Sequence, residues 1–201
     1  MIKNLVFDFG RVMVHFDPDY MTAVHTDSPE DRALLAPIIF DRLYWDGLDA
    51  GTISDEEVVE AVKKRIPERL HKTAERIYYD WIYNIPEIEG MPDLVSYVKE
   101  RYGVRLFLLS NICTYFVAHE SEFPCLSLFE KKVYSAVCGF VKPERGIFDY
   151  LCRECEIEPS ETLFIDDSEK NIRGAEDFGI HGYIFDGDVK KLREYLDNLL
   201  G

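Results

Sequence analysis

Asp8, Ser110-Asn111 and Asp166-Asp167 each stand at the end of a short apolar run: Leu5-Val6-Phe7, Val104 to Leu109, and Thr162 to Ile165. Buried strands of a parallel sheet present such residues at their carboxyl edge, where ligands bind. Acidic oxygens meeting in that crevice repel one another unless a hard cation joins them. Mg²⁺ takes one or two carboxylates together with substrate phosphate. The chemistry expected of these residues is that of a magnesium phosphate site, with Asp8 the first residue to test. Each also has a local explanation. Asp167 or Ser168 can cap a helix running from near Glu169 to Gly179, Ser110 and Asn111 can be turn formers, and Lys142, before Pro143, can be a solvated loop lysine. The functional reading rests on their joint order.

Positioning these residues takes a doubly wound, Rossmann-like α/β fold with a parallel sheet. The pattern predicts strands at Leu5-Val6-Phe7, Val104 to Leu109, Val133 to Val137, Thr162 to Ile165 and Gly182 to Phe185, with helices between them. Pro92 to Arg101 and Val189 to Leu200 are amphipathic helices, and Ile147 to Cys155 is helical. Arg11 to Pro18 reads as extended. Between the first two strands the chain turns helical. Asp17 is an N-cap with Pro18 at the first helical position, Ser28 opens a second helix, Ser54-Asp55-Glu56-Glu57 is a capping box, and Lys72 to Tyr83 is a further helix. The expected organisation is an α/β core, residues 1–15 and 86–201, interrupted by a helical-bundle cap at 16–85.

Against 23 Lys and Arg stand 38 Asp and Glu, a net charge of −15. That balance repels phosphate backbones and anionic lipid, so neither nucleic acid nor a membrane is an expected partner. No apolar run approaches the ~20 residues that span a bilayer. Met1 leads into the first strand without a signal-type segment, and a cytoplasmic location is expected. The five cysteines are odd in number and suit a reducing compartment. Cys152 and Cys155 read as small side chains on a helix, in preference to a metal or redox pair.

Phe7-Asp8-Phe9-Gly10-Arg11-Val12, Leu108-Leu109-Ser110-Asn111, Lys142-Pro143 and Phe164-Ile165-Asp166-Asp167-Ser168-Glu169-Lys170-Asn171 occur in the order of the four motifs of the haloacid dehalogenase-like (HAD) hydrolase superfamily, which the chain resembles. The helical insert lies where that family places its smaller cap. Trp45-Asp46-Gly47-Leu48-Asp49-Ala50-Gly51-Thr52-Ile53-Ser54 is similar to the helical cap of the branch that includes bacterial α-D-glucose-1-phosphate phosphatase. More distantly, the chain resembles the amino-terminal phosphatase domain of mammalian epoxide hydrolase. Carried over by position, the resemblance implies an aspartyl-phosphate intermediate on Asp8, which is nucleophile and Mg²⁺ ligand. Ser110 and the Asn111 backbone would hold phosphoryl oxygens, and Lys142 would neutralise the phosphate and Asp8. Asp167 and the Gly10 carbonyl would be further metal ligands, supported by Asp166 and Asn171. The expected partner is a small phosphate ester.

One position departs from the family. Two residues after the nucleophile most of its phosphatases carry a second aspartate that protonates the leaving alcohol; here it is Gly10, and a step worth roughly 10²- to 10⁴-fold has lost its usual agent. His15, whose imidazole is of the side-chain type suited to proton transfer, and Asp17 are the two substitutes the sequence offers, against their readings as an edge histidine and a helix cap. Arg42, Tyr44 and Trp45 are candidates for substrate contacts from the cap. The expected activity is a Mg²⁺-dependent sugar phosphatase. The alternatives are a metal-free haloacid dehalogenase, against which the Asp166-Asp167 pair argues, and a non-catalytic binding protein on the same fold.

Overall fold

The computed structural model describes residues Met1–Gly201. Strand β1, Asn4–Phe7, is followed by five helices: α1 Pro18–Ala23, α2 Pro29–Ile39, α3 Arg42–Asp49, α4 Asp55–Lys63 and α5 His71–Asp80. Then come α6 Met91–Tyr102, β2 Arg105–Ser110, α7 Thr114–Ala118, β3 Lys131–Tyr134, α8 Ser135–Cys138 and α9 Arg145–Cys155. The chain closes with β4 Thr162–Asp166, α10 Glu169–Phe178, β5 His181–Ile184 and α11 Val189–Leu200.

The five strands form one sheet in the order β3-β2-β1-β4-β5, every neighbouring pair parallel. Side chains alternate faces along a strand, so both faces need apolar residues when helices cover both. Leu5, Phe7, Leu106, Leu108, Leu163 and Ile165 pack in one core cluster, whereas Val6, Phe107, Leu109 and Phe164 pack in the other. This is why β1, β2 and β4 read as unbroken apolar runs. Each fully buried Leu or Phe contributes ~1.5–3 kcal/mol, so the register is firmly held. From β1 the chain winds first to β2 and β3, then crosses to β4 on the other side, which leaves a crevice at the carboxyl edge between β1 and β4.

Helix starts follow the local chemistry. The Asp17 carboxylate accepts from the Asp19 and Tyr20 N–H groups, Ser28 caps α2, and Ser54 with Glu57 forms a reciprocal capping box at α4. Two segments differ from the sequence expectation. The run after Gly10 is not extended: the Phe9 carbonyl accepts from the Met13 and Val14 N–H groups, and Arg11 sits at φ 59°, so the chain folds into a tight loop. Beyond Tyr134 the third strand stops, and Ser135 to Cys138 turn as α8. There Ser135 Oγ is engaged by both Ile112 and Asp49, and Gly139 ends the turn at φ +76°. The helix expected to reach Tyr83 is α-helical only to Asp80, with Trp81–Tyr83 a 3₁₀ turn. Cys152 and Cys155 both lie on α9, and all five cysteines are free.

The segment joining β1 to β2 leaves and re-enters through one gate. Val14 bridges Glu87, His15 N–H donates to the Pro86 carbonyl, and Ile88 N–H donates to that of Met13. Aromatic rings carry the packing inward from there: Phe16 meets Trp45 and Trp81 edge-on, and Trp81 stacks on Phe116, which packs on Phe9 beside the end of β1.

Candidate active site

Phe7 lies opposite Leu108 and Ile165, so the residue after it comes level with the ends of both neighbouring strands. That residue is Asp8, whose N–H continues the ladder to the Ile165 carbonyl. Its carboxylate accepts from Phe9 N–H at 2.7 Å and from Lys142 Nζ at 2.7 Å. Lys142 is the hub. Its ammonium also donates to Asp166 at 2.8 Å and to the Leu109 carbonyl at 3.1 Å, and its side chain is 1% exposed. A buried ammonium with three acceptors is satisfied as well as its chemistry allows.

The loop carrying Lys142 is held to β2 by a side-chain clamp: Asn111 Oδ1 accepts from Lys142 N–H at 2.7 Å, and Asn111 Nδ2 donates to the Lys142 carbonyl at 3.1 Å. Asp166 is completely buried. It accepts from Ser168 N–H at 2.8 Å and from Asn171 Nδ2 at 3.1 Å on both oxygens. Asp166 thus serves the first turn of α10, whereas Ser168 makes no capping bond. Asp167 lies further out, with Arg11 at 3.8 Å.

Charge is concentrated here. Burial pushes the Asp8 carboxyl up to about 7, Lys142 opposing and Asp166 reinforcing. For Lys142 burial works against the charge, but Asp166 and Asp8 outweigh it and hold its pKa above the usual value. Asp167 is raised by burial and by Asp166, with Arg11 opposing. One oxygen each from Asp8, Asp166 and Asp167 lie within 4.8 Å of one another. Clustered hard oxygens, two of whose acids, Asp8 and Asp167, are driven toward protonation, fit a divalent cation such as Mg²⁺, whose charge would offset their repulsion.

A cavity of about 510 Å³ opens above these groups. Asp8, Gly10, Ser110, Asn111, Lys142, Asp167 and Asn171 line it from the sheet, and Arg42 and Trp45 from the insert. Not every expected residue arrives. His15 and exposed Asp17 line a neighbouring depression, and Asp17 is occupied as a cap. Tyr44 faces away, against Arg65. Arg42 is tied to Asp46 at 2.8 Å, and Trp45 donates its indole N–H to the Ile39 carbonyl. Asp49 is the residue sequence reasoning missed. It lines the same cavity, is buried, and burial raises its pKa to about 7. Its only advance signal was its place in the cap-like stretch Trp45 to Ser54.

The doubly wound parallel sheet, with an acid just after its first strand and a lysine-bridged acid at the end of its fourth, is the arrangement of an α/β hydrolase class. The chain belongs to the haloacid dehalogenase-like hydrolase family, whose family model matches residues 2–179. It is 27% identical over 197 residues to D-ribitol-5-phosphate phosphatase of Bacteroides thetaiotaomicron, covering 91% of each chain. A HAD family enzyme of the same organism, solved as its magnesium complex, superimposes with a TM-score of 0.72 at 25% identity, over 95% of this chain and 98% of that one. L-2-haloacid dehalogenase from Xanthobacter autotrophicus shares the fold, with a TM-score of 0.68 at 15% identity over 100% of this chain and 85% of that one. No helix is long and apolar enough to cross a membrane.

Proposed function

We propose that the protein is a Mg²⁺-dependent phosphatase acting on a small sugar or polyol phosphate in the cytoplasm, and that residues 1–15 and 86–201 form its catalytic core with 16–85 as a cap over the cavity. The observation that carries this reading is the Asp8–Lys142–Asp166 chain beside Asp167, which joins a carboxylate nucleophile, a fixed cation and a metal-competent acidic cluster. A haloalkyl substrate develops no phosphoryl charge and gives such a cluster nothing to do. The similarity to a ribitol phosphate phosphatase supports a polyol or sugar ester.

In this reading Asp8 attacks phosphorus, the ester oxygen departs, and water cleaves the aspartyl-phosphate. Lys142 neutralises charge on Asp8 and on the phosphoryl oxygens, while Ser110 and the Asn111 backbone hold those oxygens. Asp8, Asp167 and the Gly10 carbonyl would hold Mg²⁺, whose role when bound is to offset phosphoryl charge. Asp166 and Asn171 are positioning residues: Asn171 orients Asp166, which orients Lys142.

The test is phosphate release from a panel of sugar and polyol phosphates, with and without Mg²⁺, by the native protein and Asp8→Asn. Metal-dependent release that falls on the order of 10⁴-fold or more in the variant is expected. Equal, negligible release from both would overturn the assignment and leave a phosphate-binding protein.

A further inference from the structure

We propose that Asp49, the last residue of α3, is the catalytic acid and base of this site, moving from the insert the proton that glycine at position 10 cannot. The inference rests on the phosphatase reading above.

Three observations meet on this side chain. First, it is a buried acid without a partner. It is 7% exposed and lines the cavity of Asp8 and Lys142, yet only burial and more distant charges act on it, with no hydrogen bond to its carboxyl. Asp8 and Asp166, by contrast, are both fastened to Lys142. With no bonded partner to fix its charge, the carboxyl is free to exchange a proton with a molecule held in the cavity.

Second, the backbone of Asp49 is fixed to the phosphate end of the sheet. Ser135 Oγ donates to the Asp49 carbonyl at 2.6 Å and accepts from the N–H of Ile112 at 2.9 Å, one residue beyond Asn111. Two residues on, Gly51 sits at φ +67°, where a Cβ would come within 3.0 Å of the Ala136 carbonyl oxygen. The tip of the insert is therefore seated by close main-chain contact.

Third, the place vacated at position 10 is open. A Cβ on Gly10 would meet nothing within 4 Å, so packing does not demand glycine there. Gly10 and Asp49 line the same cavity.

The electrostatics suit the task. Burial holds the Asp49 carboxyl up to about 7, with Arg42 and Lys142 pulling it down and Asp46 pushing it up. An acid half-protonated near neutrality can both give and take a proton.

Asp8 forms a bond to phosphorus as the ester P–O bond breaks, and the Asp49 proton passes to the departing alkoxide, giving the alcohol and the Asp49 carboxylate. Water then attacks the aspartyl-phosphate, Asp49 takes its proton, the P–O bond to Asp8 breaks, and inorganic phosphate leaves with Asp49 protonated again.

Asp49→Asn, nearly isosteric, should be compared with the native protein on an alkyl phosphate, whose alkoxide must be protonated to leave, and on p-nitrophenyl phosphate, whose phenolate need not be. The expected loss in kcat/KM, which reports phosphoryl transfer to Asp8 and not the hydrolysis step both esters share, is about 10²- to 10⁴-fold on the alkyl phosphate and at least about thirtyfold smaller on p-nitrophenyl phosphate. In the native protein, turnover of the alkyl phosphate should fall as pH rises through about 7, and that limb should be missing from the variant. Residual turnover of the aryl ester also reports that the variant is folded. Equal losses on both esters, with the basic limb unchanged, would overturn the role of Asp49. An Asp8→Asn protein that still hydrolyses p-nitrophenyl phosphate at the native rate would instead overturn the phosphatase reading beneath it.

Discussion

Two buried acids face the same cavity in opposite conditions. On the sheet side Asp8 meets Lys142 at 2.7 Å and accepts a backbone N–H, whereas on the insert side Asp49 has no bonded partner at all. Burial raises both carboxyls to about 7, but only Asp8 has an adjacent ammonium and a cation-competent cluster to draw it back to the ionised form. Under the proposed function this contrast is a division of labour: the paired acid would attack as an anion, and the unpaired one would exchange protons near neutrality. Two carboxyls of one chemical type acquire separate roles from their surroundings.

On the insert side, an unpaired buried acid carries a pH-dependent cost in stability. The folded-state pKa of Asp49 lies above its ordinary 3.8, so between that value and about 7 the native state binds more protons than the unfolded one. Its destabilising effect therefore grows as pH rises through this window and is complete above about 7. Asp49→Asn should be more stable than the native protein by roughly 2–4 kcal/mol at about pH 8, the gain shrinking toward about pH 5, as read by urea unfolding at both values. A variant no more stable at the higher pH would mean that Asp49 is not an unpaired acid.

On the sheet side, Asn171 donates to both oxygens of Asp166. Asn171→Ala should raise the Mg²⁺ concentration needed for half-maximal phosphate release by about 10- to 100-fold, through loss of orientation in the acidic cluster. An unchanged magnesium titration would show that the cluster orients itself.

A smaller effect sharpens the link between the two sides. Because a side chain at position 10 would meet open space, Gly10→Asp introduced into Asp49→Asn should recover about tenfold of the activity lost on an alkyl phosphate. Recovery on alkyl but not aryl esters, measured side by side, would identify the restored function as proton transfer.

Much of this site was legible along the chain because strand ends are local features. Leu5-Val6-Phe7 and Leu163-Phe164-Ile165 are apolar on both faces, and whatever follows such runs is delivered to one edge of a parallel sheet. The caps at Asp17, Ser28 and Ser54 were equally readable, since each is satisfied within three residues. The loop after Gly10 was not, because it depends on one carbonyl, that of Phe9, collecting the three N–H groups of Val12, Met13 and Val14. Nor was the early end of β3, where Ser135 is claimed by residues from two distant segments.

By itself the sequence determined the alternation of strand and helix, the place of the helical insert and the order in which Asp8, Ser110, Lys142 and Asp166-Asp167 reach the sheet edge. Only the tertiary structure decided which acids meet Lys142, that His15 and Asp17 line a different depression, and that Asp49 lines the cavity of Asp8 from the insert. The physical reason is range. Strand periodicity and helix capping are settled among near neighbours, whereas the burial and pairing that give a carboxyl its proton affinity are set by groups that folding brings together from across the chain.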